Sequence, residues 1–136
     1  TVVLKLPTQS WWDVSQGDRA PEVTGCTYIY NMNGGRIDKM TAGSANGKIR
    51  NAIIYFNPDS NADAYKYFTD ANYRCTVAHE LGHVLGFGHV TNGRPSIMFQ
   101  ERKDYTSLQS YDRVNYQNKY FPDLTTFYQG GIDDES

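Results

Sequence analysis

Eleven residues constrain this chain more than the rest of it: His79-Glu80-Leu81-Gly82-His83-Val84-Leu85-Gly86-Phe87-Gly88-His89, of the form H-E-x-x-H-x-x-G-x-x-H. All three histidines of the protein lie in this run. His79 and His83 are four residues apart, which on an α-helix brings both imidazoles to one face, a turn apart. Two nitrogens so placed reach one metal ion at roughly 2.0–2.1 Å, a usual Zn–N distance. Gly86 follows three residues after His83, and glycine tolerates the positive φ at which a helix stops and the chain turns sharply. That turn would return His89 as a third ligand. Any fold for this chain must therefore supply a helix across residues 79–83, a reversal at 86 and a way back to the first two histidines. The short pattern HExxH occurs by chance; a glycine and a third histidine at fixed offsets make coincidence rare.

Three protein ligands leave a fourth position for water, which a catalytic zinc site needs and a structural site avoids. Zinc brings the pKa of such a water towards ~7 and polarises a scissile carbonyl. Glu80 projects beside the metal rather than onto it, where a carboxylate can take the proton of a zinc-bound water as general base. The sequence-based site is thus His79, His83 and His89 as metal ligands and Glu80 as the catalytic residue.

This extended motif resembles that of the metzincin clan of zinc endopeptidases. The resemblance implies a methionine-containing turn beneath the metal. Arg94-Pro95-Ser96-Ile97-Met98-Phe99 offers one, with Met98 nine residues after His89. So short a step is similar to the matrixins and their bacterial relatives. Astacins and serralysins carry a tyrosine ligand two residues after the methionine; here Gln100 stands there, and no fourth protein ligand is expected. The resemblance runs over about residues 72–100. It implies an α+β, zincin-like fold with a twisted mixed β-sheet packed on the active-site helix. A small C-terminal subdomain would hold the third histidine, the Met-turn and a C-terminal helix. The expected organisation is a single catalytic domain over 1–121, with residues 1–86 above the cleft and 87–121 below it. A flexible acidic tail is expected over 122–136. Two departures stand out. Metzincins have a long helix between their first two strands, and none is evident here. Matrixins hold a second, structural zinc with further histidines, and this chain has none to spare. By the same resemblance, an early aspartate of the last helix, Asp112, would anchor the N-terminus.

A length of 136 residues fits one domain with a single core. The net charge of −2 and mixed charges provide no electrostatic footprint for nucleic acid or an anionic membrane. No apolar run approaches the ~18–20 residues of a membrane span, and no signal peptide is evident. The chain reads as a catalytic unit lacking its leader and propeptide. Two cysteines, Cys26 and Cys75, suggest one disulfide and a secreted, oxidising setting. Closing that loop would contribute about 4 kcal/mol in the chain-entropy model. The alternative is two buried free thiols.

Pattern and turn signals predict strands over Val2–Leu6, Cys26–Met32, Arg36–Met40 and Ile49–Phe56. Turns fall at Asn33-Gly34-Gly35 and Asn46-Gly47, the latter the strongest hairpin signal. Trp11 through Val23 reads as a loop with a single helical turn. A helix capped by Asp70 or Asn72 runs to about Leu85, with Ala78, Leu81, Val84 and Leu85 as packing residues. A last helix, Ser110–Phe121, turns Tyr111, Val114, Asn118 and Phe121 inward. The resemblance implies a cleft-edge strand that pairs with an extended substrate; the strands leading into Ile53–Phe56 are candidates for it or are ordinary core strands. The charged run Gln100–Asp104 reads as solvated surface, whereas the resemblance implies that it lines a specificity pocket. Asp59, Asp63 and Asp70 are near in sequence and offer a site for structural calcium.

The reading that follows is a secreted, monomeric zinc endopeptidase acting on protein or peptide substrates. The competing reading is a catalytically silent zinc-binding module of the same fold that captures a peptide or inhibitor.

Overall fold

Residues 1–37, 49–101 and 104–121 are described by a computed structural model. They form an α+β fold, a four-stranded mixed sheet with three α-helices. In chain order the elements are β1 (Val2–Lys5), α1 (Gln9–Gln16), β2 (Gly25–Asn31), β3 (Arg36–Ile37), β4 (Ile49–Phe56), α2 (Asp70–Val84) and α3 (Ser110–Tyr120). Short 3-10 turns lie at Gly17–Glu22 and Asp63–Tyr65. The strand order is β1-β4-β2-β3. β4 is central, parallel to β1 and antiparallel to β2. The best strand of the sequence is therefore an interior strand, paired on both sides, not a cleft edge. Gly25–Tyr28 of β2 pair with β4 on one side; among the described residues no strand pairs with their other side, because β3 meets β2 only at Ile29 and Tyr30.

The turn at Asn33-Gly34-Gly35 forms as its residues predict. Asn31 Oδ1 accepts from the backbone N–H groups of Asn33 and Gly35 at 3.0 and 2.9 Å, and Gly34 adopts φ 84°. The hairpin signal at Asn46-Gly47, the last three residues of the strand expected over Arg36–Met40 and the acidic segment 122–136 lie outside the described residues.

Between β1 and β2 the chain is more helical than expected. Thr8, just after Pro7, caps α1 by accepting from the Trp11 N–H at 3.2 Å, and the helix runs two turns before Gly17 ends it at φ 62°. Burial of Trp12 holds it there: the ring is fully buried, and its indole N–H donates to the Ala20 carbonyl at 3.0 Å. A polar-looking segment thus folds because one large side chain finds both a core and a hydrogen-bond partner.

Side chains alternate across a strand, and the two faces of this sheet carry different loads. Tyr28, Ile53 and Tyr55 pack with Trp11 and Trp12 on the α1 side. Their neighbours Thr27, Ile29, Ala52 and Ile54 turn the other way, and Thr27 meets α2 there. This sidedness overturns the expected disulfide, since both cysteines are free. Cys26 packs with the Trp12 cluster and receives the Gln16 side-chain amide at 3.4 Å, whereas Cys75 is buried with Ile97 and Met98 under α2. The two thiols pack in different clusters, and no bond joins them.

The helix carrying the motif also corrects its expected packing. Thr69 is the N-cap of α2 and Asn72 closes a reciprocal capping box; Asp70 lies in the first turn. Leu81 and Leu85 are 40% and 41% exposed rather than packed, and they line an apolar groove with Leu108 and Tyr116. The buried face of α2 is instead Asn72, Cys75, His79, Glu80 and Gly82. Periodicity assigns the apolar residues to the core, but here the polar chemistry faces the sheet and the Met-containing turn. On α3, Tyr111 and Val114 are half-buried, whereas Asn118 and Phe121 are exposed; the buried residue is Asp112.

Burial, followed by the nearby Glu80 carboxylate, pushes the Cys26 thiol up to about 12. A thiol so shifted stays protonated at pH 9 and is a poor nucleophile. Thiol titration of the non-reduced, denatured protein is expected to count two free thiols per chain. In the native protein, alkylation of Cys26 by iodoacetamide should remain slow through pH 9. A count near zero before reduction would restore the disulfide.

Candidate metal centre

The centre begins with the way α2 ends. Helical geometry stops at Val84, Leu85 is the C-cap, and Gly86 takes φ 91°. The Gly86 N–H donates to His83 O at 2.9 Å and the Phe87 N–H to Gly82 O at 3.0 Å. These two bonds make a Schellman motif, which only a residue at ease in the left-handed region allows without strain. Gly86 therefore plays the role read from its spacing. The same reversal places the Phe87 carbonyl 2.8 Å from His83 Nδ1. A backbone carbonyl can only accept, so Nδ1 carries the proton and Nε2 is left as the donor to a metal.

His79 is treated alike from farther away. Its Nδ1 lies 2.7 Å from the carbonyl of Ile97, a residue of the Met-containing turn. His89 returns from the turn at Gly86, and its loop is tied back by a bond from the Val90 N–H to Met98 O at 2.9 Å. The three rings form a nearly equilateral triangle, with centroids 4.8, 5.0 and 5.1 Å apart. Their ligand atoms lie within 4.8 Å of one another. His79 is buried, His83 half-buried and His89 exposed, so the triad opens to one side. Three imidazole donors with two tautomers set by carbonyls fit a borderline metal such as zinc. Among the described residues this is the one convergence of three such ligands. Asp59, Asp63 and Asp70 do not gather: Asp59 accepts from the Asn61 N–H at 2.9 Å, and Asp63 and Asp70 head separate helical turns.

Glu80 is only 4% exposed and sits beside the triad in a cleft of about 940 Å³. Its carboxylate lies against β2: Thr27 Oγ1 donates to Oε2 at 2.6 Å. Gln100 and Glu101 line the same cleft, so the start of the charged run is a wall of the site; residues 102–103 lie outside the described residues.

Beneath the triad, Met98 is where the sequence places it, buried with Cys75 and Ile97. It packs so closely on α2 that a Cβ at Gly82 would lie 2.3 Å from its sulfur. Gly82 is thus a contact residue that the motif alone does not single out. Its signal is a glycine inside the last turn of a helix, ahead of the one that ends it, which costs up to about 1 kcal/mol and calls for a packing reason.

Asp112 holds this turn from α3. Its carboxylate accepts from Ser96 Oγ, from the Ile97 N–H at 3.0 Å and from the Gln109 N–H at 2.9 Å. Ser96 Oγ in turn accepts from the Met98 N–H at 2.9 Å. Ile97 therefore links Asp112 at its N–H to His79 at its carbonyl. The resemblance implies that Asp112 anchors an N-terminus; in this structure its carboxylate holds Ser96, Ile97 and Gln109.

Two substitutions probe these supports. In an ordinary helix, glycine to alanine stabilises by roughly 0.5–1 kcal/mol. Gly82→Ala should instead bring no gain, because the Met98 thioether must move aside to admit the methyl. A raised melting temperature would contradict this. Asp112→Ala should weaken metal affinity roughly 10–100-fold, as loss of a support behind a ligand does. Chelator competition on the folded variant measures it, and an unchanged affinity would break the link from Asp112 to His79.

The chain matches no protein-family model, no curated protein and no solved structure, so the functional reading rests on this geometry.

Proposed function

We propose that this protein is a zinc-dependent endopeptidase of the metzincin type, matrixin-like in the short step from His89 to Met98. In this reading the fold is zincin-like, with residues 1–86 above the cleft and 87–121 below it. The observation that carries the proposal is a buried carboxylate, Glu80, set beside three convergent imidazoles in an open cleft. A metal site that only held structure would use a fourth protein ligand and no adjacent base.

His79, His83 and His89 would hold the ion, with Nδ1 of the first two satisfied by carbonyls. Zinc bound there supplies Lewis acidity, lowering the pKa of water and polarising the scissile carbonyl. Glu80 takes a proton from the attacking water and later delivers it to the leaving amine nitrogen, so no covalent enzyme intermediate is needed. Gly25, Cys26 and Thr27 of β2 line the cleft, and an extended peptide lying along them would pair through backbone groups as an added strand. Such pairing gives affinity with little dependence on side chains and favours protein or peptide over other substrates. The secreted location and monomeric state belong to this reading and rest on the resemblance; the free cysteines lend the location no support.

The test separates this from a silent binding module. Wild-type protein carrying one zinc per chain should cleave casein and lose that activity with chelator. Glu80→Gln should keep the metal, by elemental analysis, and lose roughly 10²–10⁴-fold in rate. Cleavage by Glu80→Gln at the wild-type rate would remove Glu80 from the mechanism. A zinc-loaded wild type that cleaves nothing in a broad peptide library would leave the binding module standing.

A further inference from the structure

We propose that Thr27 is the positioning residue of Glu80: its hydroxyl holds the carboxylate where proton transfer needs it. The inference rests on the peptidase reading and adds a residue that the motif does not contain.

Thr27 and Glu80 are 53 residues apart in sequence and meet across the interface of β2 with α2. Thr27 Oγ1 donates to Oε2 at 2.6 Å and lies 3.2 Å from the Glu80 backbone carbonyl. A hydroxyl has one proton, and the charged acceptor at the shorter distance takes it. Two residues earlier on the same strand face is Gly25. A Cβ at Gly25 would stand 3.3 Å from Glu80 Cγ, 3.5 Å from Oε1 and 3.3 Å from the Tyr55 carbonyl. The glutamate side chain therefore lies in a slot, over bare backbone at Gly25 and hydrogen-bonded at Thr27. Period-two alternation puts both residues on this face, while Cys26 between them turns to the other.

The slot answers a problem the proposed chemistry creates. Glutamate has three side-chain torsions, and fixing them costs entropy at every turnover unless the fold has already done so. The carboxylate must stay within about 2.6–3.2 Å of the proton it takes and again of the nitrogen it supplies. A misplacement of about 1 Å can cost ~10²-fold in rate. Folding β2 against α2 fixes the torsions before substrate arrives.

The experiment compares zinc-loaded wild type with Thr27→Val, which keeps the shape without the hydroxyl, and Thr27→Ser, which keeps the hydroxyl. The expected result for Thr27→Val is a kcat lowered ~10–100-fold with KM within about twofold, one zinc per chain and an unchanged spectrum of the cobalt-substituted protein. Thr27→Ser should retain kcat within about threefold. Independently of activity, NMR of glutamate carboxyl carbons or a crystal structure should show one Glu80 rotamer in wild type and several in Thr27→Val. A residue that only glues strand to helix would lower the melting temperature in both variants without splitting kcat from KM. Wild-type kcat in Thr27→Val, equal impairment of both variants, or a single unmoved Glu80 rotamer in Thr27→Val each overturns the positioning role. Zinc-loaded wild type without peptidase activity overturns the reading beneath it, and the rotamer measurement still reports whether Thr27 holds the carboxylate.

Discussion

Imidazoles share one ion readily when their donor nitrogens are aimed before the ion arrives, and in this protein backbone carbonyls do the aiming. The Phe87 carbonyl fixes the tautomer of His83 and the Ile97 carbonyl that of His79. Both carbonyls belong to tight turns, so the centre is only as well ordered as those turns. The first turn is local and closes on the two bonds of the Schellman motif at Gly86. The second is not local: it is held by the buried carboxylate of Asp112, reaching from α3 to Ser96 and Ile97. Without such bonds the ligands would lose orientation, and each buried donor left behind would cost roughly 1–3 kcal/mol.

A division of labour between the faces of the sheet follows from the same economy of space. The α1 face is aromatic, built on Trp12, Tyr28 and Tyr55. The α2 face, with the end of the sheet at Gly25–Thr27, bears the chemistry. Gly25 and Gly82 are where the backbone must come close, to the Glu80 side chain in one case and to Met98 in the other. Neither lies in a turn. Both are small because a neighbour occupies the place of a side chain, a role that no local rule of turn formation reveals.

Much of the strand architecture is legible in the chain itself. Ile49–Phe56 reads as a strand with the bounds it has, and Asn33-Gly34-Gly35 as the turn it forms. Both are decided by local pattern and turn chemistry. The departures have physical causes. Thr8 and Trp12 make a helix of a segment whose polarity and glycine suggest a loop, because tertiary burial of one indole outweighs composition. Periodicity assigns Leu81 and Leu85 to the core, yet the buried face of their helix carries His79 and Glu80. A count of two cysteines suggests a bridge, and the alternation of β2 sends Cys26 away from α2.

By itself the sequence determined the donor set of the metal centre, His79, His83 and His89, with Glu80 beside it. Those positions depend on the 3.6-residue period of one helix and the left-handed freedom of Gly86, both properties of adjacent residues. The tertiary structure alone decided the distant supports: Ile97 and Asp112 behind His79, Met98 against Gly82, Thr27 and Gly25 around Glu80. Strand order and helix packing bring these partners in, across 15 residues from Ile97 to Asp112 and 53 from Thr27 to Glu80. Such pairings depend on how faces meet rather than on spacing along the chain, and spacing is all that a sequence displays.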